Sequence, residues 1–507
     1  MFSFAIYDEK EKTIFCARDR VGKKPFKYYL DDNVFIFASE LKAILTQKEY
    51  KKEPDYIAIN HYLTLQYCPA PLTGFKDIKK LEPAHYLFID LKTKGVEKER
   101  YWKLDYSQKL DLSEDEWKKR IMEKLEECVK LRMISDVPLG AFLSGGIDSS
   151  AVVGMMSKLS DTPVKTFSIG FEEEKYNELK YARIVAKKFK TDHKEFIVKP
   201  DAIELLPMLV RQYEEPYADS SALPTYYVSK MTRDFVTVAL NGDGGDENFA
   251  GYGRYSVQKF GLWYDKILPI HKYFILPVSK FLAKNIKTTF FDRAYRFSQA
   301  LSDNYAHRYV ESICYFTNRM KENLYTDEFK NKMKNIDSYM LVADRFQESA
   351  TNDKMDQCLY ADFSTYLPDD LLVKVDIDTM AVALEGRSPF LDHEMLELTA
   401  KIPFSLKLNG FNNKKYILKE ALKDLLPREV MYRPKMGFGI PIDVWFRGEL
   451  KEYAYNTLLS EKALARGIFK KEAIKKLLAT HEKTKINHAY RIWALITIEL
   501  WFREYFD

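Results

Sequence analysis

The sequence predicts an α/β fold, a parallel sheet flanked by helices, preceded by a smaller and mostly β region. Three observations point there. After residue 113, short apolar runs alternate with stretches of helical periodicity. Two of those runs end in glycine-rich acidic loops, and the first hundred residues read as short strands separated by turns.

In chain order, FSFAIYD (2–8), TIFCARD (13–19), FKYYL (26–30), VFIFAS (34–39) and HYLFIDL (85–91) are apolar and aromatic runs divided by polar, Gly or Pro punctuation. The texture changes at Ser113. Ser113 and Glu116 have capping-box spacing, and Trp117, Ile121, Leu125, Cys128 and Val129 then recur at helical intervals. A boundary is therefore expected over 106–112, dividing the chain into residues 1–105 and 113–507. LGAFL (139–143), TFSIGF (166–171) and FVTVAL (235–240) read as buried strands with helices between them. Ligands of such a sheet belong at the carboxyl ends of its strands. From about residue 250 onward the pattern is largely helical.

At 507 residues the chain exceeds a single ordinary core. Lys and Arg number 79 against 74 Asp and Glu, a formal charge of +5, too weak a field for a nucleic-acid partner. Cys16, Cys68, Cys128, Cys314 and Cys358 show no CxxC spacing, which argues against a disulfide framework or a zinc site and fits a reducing cytoplasm. No apolar run reaches the roughly 18 residues of a membrane span. The stretch Gly261 to Ala283 (GLWYDKILPIHKYFILPVSKFLA) is aromatic and basic, which raises a membrane-surface role. Its prolines and regularly spaced Lys and His favour packed helices, so no membrane partner is expected.

The chemistry concentrates in two loops. Ser144-Gly145-Gly146-Ile147-Asp148-Ser149-Ser150 follows the LGAFL strand and opens into a helix-like segment. Two glycines permit a tight turn whose N–H groups and helix start attract phosphate oxygens, and the Ser144 and Ser149 hydroxyls add donors. Bare phosphate would repel Asp148, so a carboxylate there suits a Mg²⁺ held on a polyphosphate. The loop lacks GxxxxGK[ST] and is not the loop of γ-phosphate transfer. It looks like the pyrophosphate loop of ATP pyrophosphatases, although a plain Gly-Ser turn remains the alternative. The second loop, Asn241-Gly242-Asp243-Gly244-Gly245-Asp246-Glu247, ends the FVTVAL strand and places three acids among three glycines, a composition suited to a divalent metal or to an ordinary acidic turn.

The order SGGIDSS, EEPYADSSALPTYYVSK, NGDGGDE, YLPDDLLVKVD, LEGRSPFLDH and RPKMGFGIP resembles the class B, glutamine-hydrolysing asparagine synthetases nearly end to end. The resemblance implies an adenine nucleotide alpha hydrolase-like (PP-loop) synthetase domain behind a glutaminase-like domain of the amino-terminal-nucleophile type. It implies ATP and Mg²⁺, with Asp148 and Asp246 holding the metal and Ser144, Gly145, Gly146 and Ser149 gripping pyrophosphate. Phe142, Ile169, Asn241 and Gly242 would receive adenine and ribose. Lys435 would stabilise the charge of adenylation and of the later tetrahedral species. Asp243 is a candidate acid/base or metal-shell residue and Lys415 a phosphate contact, while Glu385 and Arg387 either organise the second substrate or form a structural ion pair. Aspartate, ammonia or glutamine are the implied small-molecule substrates, and a homodimer the implied assembly.

Departures from the family pattern shape the functional expectation. The family's nucleophile is an exposed amino-terminal cysteine, whereas this sequence opens Met1-Phe2-Ser3 on a strand from deep within the glutaminase domain. A truncated front domain without glutaminase activity, with exposed strand edges, is expected. Cys16 lies mid-strand and Cys68 precedes Pro69, so both read as ordinary buried cysteines rather than replacement nucleophiles. Asn241 stands where the family often has Ser, Asn177 where an Asp commonly precedes Glu178, and Ala250 in place of a glycine. The expected reaction is adenylation of a carboxylate, in the first instance the aspartate β-carboxylate, followed by attack of ammonia. Amidation of a sugar acid and a non-catalytic remnant are the alternatives.

Overall fold

The computed structural model describes residues 1–172, 177–198, 202–265, 274–286, 288–300, 304–433 and 439–507. Its front region holds two antiparallel sheets. One has the order β1 (Ser3–Asp8), β2 (Thr13–Arg18), β6 (His85–Asp90), β7 (Gly95–Arg100), and the other β4 (Phe35–Ala38), β3 (Lys27–Leu30), β5 (Ile78–Lys80). All five sequence-expected strands are present. Helices α1 (Leu41–Leu45) and α2 (Tyr56–Leu65) were not expected in this mostly β stretch. The α2 turns carry too many buried residues on every side to show an amphipathic period, since Ala58 through Leu65 are all buried. At the sheet edge, β1 exposes Phe4, Ile6 and Tyr7.

Helix α3 (Glu114–Met133) starts on the expected capping box: Ser113 accepts from the Glu116 N–H and the Glu116 carboxylate accepts from the Ser113 N–H at 2.9 Å. Its buried face is Trp117, Ile121, Leu125, Cys128 and Val129, the residues whose spacing announced it. The central sheet follows, with β8 (Leu139–Phe142), α4 (Ile147–Leu159), β9 (Lys165–Phe171), α5 (Leu179–Phe189), β10 (Asp192–Val198), α6 (Ala202–Tyr213), α7 (Ala222–Arg233), β11 (Val238–Leu240) and α8 (Gly245–Asn248). All its pairings are parallel, in the order β10-β9-β8-β11-β12, where β12 is Glu385–Arg387. The expected FVTVAL strand is shorter than its apolar run, because the Phe235 and Val236 N–H groups bond back to Thr232 O and finish α7. β12 has no strand-like sequence and exists through its pairing with β11, Val238 opposite Glu385.

The chain beyond residue 250 is largely helical among the described residues. Part of the Gly261–Ala283 expectation is corrected here. Helix α9 (Gly253–Tyr264) is followed by α10 (Leu276–Asn285) and α11 (Thr289–Ala300), and α10 packs on α11, yet α10 buries none of its own residues. Phe274, Val278 and Phe281 face solvent. Residues 266–273 lie outside the described residues.

Front and central regions are joined by buried charge. Glu214, 1% exposed, accepts from the backbone N–H groups of Leu41 (2.5 Å) and Lys42 (3.1 Å) and pairs with Lys27 at 3.1 Å. Its neighbour Glu215 pairs with Lys80 at 2.5 Å. Lys23 donates to Ser388 Oγ and Lys24 to Asp376, both at 2.7 Å. One hydrophobic core accordingly runs from Val21 and Leu41 through Tyr213 to Trp501.

Removing one partner of a buried pair strands the other charge, so Glu214→Ala is expected to lower stability by about 3 kcal/mol. A fall in thermal midpoint, with faster proteolysis between residues 101 and 112, checks it. Two buried histidines add a pH dependence. Burial, reinforced by the Lys321 ammonium, pulls His61 down to about 4, and burial with Arg447 does the same to His481. The unfolded chain takes up those protons near pH 6.5 while the native chain resists until about 4, so stability present above that window is lost as pH falls through it, by about 3 kcal/mol per histidine. Melting the protein from neutral pH towards pH 5 is expected to show the decline, and His61→Gln to flatten it.

Candidate active site

The strand order reverses between β8 and β11, and the crevice at the carboxyl ends of such neighbouring strands is where open α/β sheets bind ligands. Both glycine-rich loops leave the sheet at that point. Gly145 adopts φ +68°, and a side chain there would meet the Tyr181–Ala182 backbone of α5 at 2.5 Å. The turn is drawn together by Ser144 and Ser149, whose hydroxyl oxygens lie 3.0 Å apart, and by the Gly146 N–H, which donates to Ser144 Oγ at 3.2 Å. α4 then follows Gly146 without any side-chain cap, an arrangement in which the first N–H groups of a helix suit an anion.

The second loop lies directly against the first. A Cβ on Gly242 would sit 2.7 Å from the Ser149 nitrogen and 2.8 Å from the Asp148 Cβ, and one on Gly245 would overlap the Asp148 carboxylate. Glycine is required at 242 because the first loop's backbone lies against it, and at 245 because the Asp148 side chain does. Asp148 and Asp246 converge on one cation: Lys415 Nζ is 2.5 Å from Asp148 Oδ2 and 2.7 Å from Asp246 Oδ1. Burial alone would lower the Lys415 pKa, but the two carboxylates outweigh it and hold the ammonium above the ordinary lysine range. Lys415 reaches them from a left-handed backbone (φ +54°) at the start of the helix Tyr416–Ala421. A side chain on Gly251 would collide with both Asp246 and Lys415.

A cavity of about 880 Å³ opens over this junction. Phe142, Ser144, Gly146, Asp148, Ser149 and Ile169 line one side, and Asn241, Gly242, Asp243, Asp246 and Lys415 the other. Gly145 shapes the turn behind the wall. Lys435 lies outside the described residues. Glu385 and Arg387 do not line the cavity. Arg387 donates to Glu385 at 2.7 Å and to the Arg132 and Ile134 carbonyls, so the pair fastens β12 to the end of α3.

Asp243 Oδ2 and Asn241 Nδ2 are buried without a hydrogen-bond partner. Burial raises the Asp243 pKa, against the opposing pull of Lys23 and Lys374. An acceptor and a donor left open in a polar crevice suit a ligand that supplies the complements. Among the described residues no group of three or more His, Cys, Asp or Glu is arranged to hold a metal. The converging pair Asp148 and Asp246 nevertheless fits Mg²⁺, an ion that takes one or two carboxylates and completes its shell with phosphate and water.

Sequence reasoning did not single out several lining residues. Lys374 pairs with Asp219 at 2.7 Å and donates to Ser221 Oγ at 2.8 Å, while Ser221 Oγ donates to Asp219. Arg433 pairs with Glu178 at 2.7 Å. The motifs EEPYADSS, LLVKVD and RPKMGFG contain Asp219, Ser221, Lys374 and Arg433, so the signal was present, but nothing in spacing tells which residue points inward. Asn177 donates to Phe171 O at 3.1 Å and accepts from the Leu179 N–H at 3.0 Å. An ionised Asp could make only the second bond. Ala250 takes φ +53°, the left-handed region that favours a glycine.

All five cysteines are buried. Burial pushes the Cys16 and Cys128 thiols up to about 12 and Cys68 well above its ordinary value, so these are not thiolate nucleophiles.

Comparison with known proteins agrees with this geometry. The family "Asparagine synthase" matches residues 120–503, and "Glutamine amidotransferase domain" matches residues 1–102. Asparagine synthetase (glutamine-hydrolyzing) 1 of Bacillus subtilis is 30% identical over 504 residues, covering 99% of this chain and 77% of the relative. Putative asparagine synthetase (glutamine-hydrolyzing) 2 of Methanocaldococcus jannaschii is 48% identical over 261 residues, 50% of this chain and 49% of its own length. Amidase chyE of Penicillium rubens is 26% identical over 487 residues, 89% of this chain and 70% of its own. With the family spanning the whole central sheet and both loops, this chain belongs to the asparagine synthase family of ATP-dependent, amide-forming ligases.

Proposed function

We propose that the chain adenylates the β-carboxylate of aspartate, releasing pyrophosphate, and that ammonia then attacks the acyl-adenylate to give the amide. The observation that carries this reading is the meeting of the two glycine-rich loops on Lys415 at the sheet's reversal point. The start of α4, with Ser144 and Ser149, would grip the departing pyrophosphate, a role that needs donors rather than acids. Asp148 and Asp246 would hold Mg²⁺ against the phosphates, and Asp243 would complete its surroundings or shuttle a proton. Such an ion supplies charge neutralisation of the polyphosphate. Lys415, kept as an ammonium, cancels the repulsion between the two carboxylates and lets a polyanion approach. Phe142, Ile169, Asn241 and Gly242 would receive the nucleoside, with the open Asn241 amide as a donor. Lys435, from its place in RPKMGFG, would meet the charge developing at the reacting carboxyl.

Ammonia is the attacking nucleophile in this reading, supplied free or released from glutamine. The charged cluster of Asp219, Ser221 and Lys374 at the cavity wall supplies the mixed acid and cation that an amino acid's amine and carboxylate require, which favours aspartate over a sugar acid.

Lys415→Met is expected to reduce ATP–pyrophosphate exchange by about 100-fold, the usual scale for one preorganised charge, and to lower the thermal midpoint by leaving Asp148 and Asp246 without their shared cation. Exchange near the unsubstituted rate would remove Lys415 and its carboxylates from the site. Purified protein given ATP, Mg²⁺, ammonium and aspartate is expected to release pyrophosphate and form asparagine. Release with a uronic acid and none with aspartate would instead assign amidation of sugar acids.

A further inference from the structure

We propose that the α10–α11 hairpin is a peripheral docking surface for anionic lipid headgroups. Phe274, Val278 and Phe281 recur at i, i+4 and i+7 and form one stripe along the helix, exposed by 68%, 56% and 66%. Phe290, 73% exposed, adds an aromatic ring at the start of α11. The opposite face of α10 is already used: Ser279 Oγ donates to Ser298 Oγ at 3.0 Å, and Leu276 and Leu282 are half-buried towards α11. The stripe is therefore surplus to the hairpin's own packing, and contiguous exposed aromatics of this kind mark an interaction site.

Charge selects the occupant. Residues 274–300 carry Lys280, Lys284, Lys287, Arg293 and Arg296 against the single acid Asp292, a net charge of +4. The described Lys280 and Lys284 are exposed on α10 alongside the stripe. An aromatic and aliphatic ridge flanked by lysines is the composition of helices that lie in the plane of a bilayer surface. A second copy of the chain is a poor occupant, because a two-fold contact would set this basic face against itself. The contact is peripheral, since no described helix is long and apolar enough to cross a membrane. Among the described residues none between 253 and 365 lines the cavity, so the surface is separate from the proposed nucleotide site and stands whether or not the proposed reaction does.

Flotation of the full chain with vesicles tests it. The protein is expected to float with phosphatidylglycerol–phosphatidylcholine vesicles, to float poorly with phosphatidylcholine alone, and to be released by high salt. Phe274→Ser with Phe281→Ser, and separately Lys280→Glu with Lys284→Glu, are each expected to cut vesicle affinity by about tenfold. Unchanged ATP–pyrophosphate exchange and thermal midpoint would show that both variants fold. No flotation with either vesicle, equal flotation with both, or undiminished flotation of both folded variants would overturn the proposal. So would absence of flotation together with a loss of dimer mass in the serine variant, or with retention on an acidic polypeptide alone, which would assign the stripe to a second copy or to an acidic protein.

Discussion

Two carboxylates from separate strand-to-helix loops share the ammonium of Lys415, and the arrangement of the loops around the cavity depends on that contact. Unpaired, such acids would repel by about 4 kcal/mol at 4 Å and an effective dielectric of about 20. Gly242 lets one loop's backbone touch the other's, Gly245 leaves room for the Asp148 carboxylate, and Gly251 leaves room for the lysine. Backbone clearance and charge balance thus specify each other. A side chain at any of the three positions would separate the acids from their shared cation.

The front region is bound to this centre by charge as well as by packing. Glu214 and Glu215 receive cations and N–H groups from it, and Lys23 reaches Ser388, next to β12. Lys23 also lies close enough to oppose the rise in the Asp243 pKa. The amidotransferase-like sheets therefore support the synthetase site electrostatically, whatever the source of nitrogen. Continuity of the hydrophobic core from Val21 to Trp501 gives the same picture in apolar terms.

The helical half shows a different economy of surface. α3 buries the face its sequence announces, because Trp117, Ile121 and Leu125 join a core built with α4 and the helices His393–Ala400 and Tyr416–Ala421. α10 has an equally regular stripe in Phe274, Val278 and Phe281, and leaves it in solvent. The same periodicity had opposite outcomes, since period alone records which residues share a face and not what the face meets.

By itself the sequence determined the parallel sheet, the capping box that starts α3, and the two loops that meet over the cavity. These are local: glycine spacing, capping chemistry and apolar runs act over a few residues, so Ser113, Gly145 and Gly242 could be read in place. Helix α2, hidden by burial on all sides, and β12, a strand only because β11 lies beside it, were decided by the tertiary structure. So was the inward aim of Asp219, Ser221, Lys374 and Arg433, and so was the role of Lys415 as the shared partner of Asp148 and Asp246. Each of those depends on contacts between residues far apart in the chain, and such contacts have no period, cap or spacing to announce them.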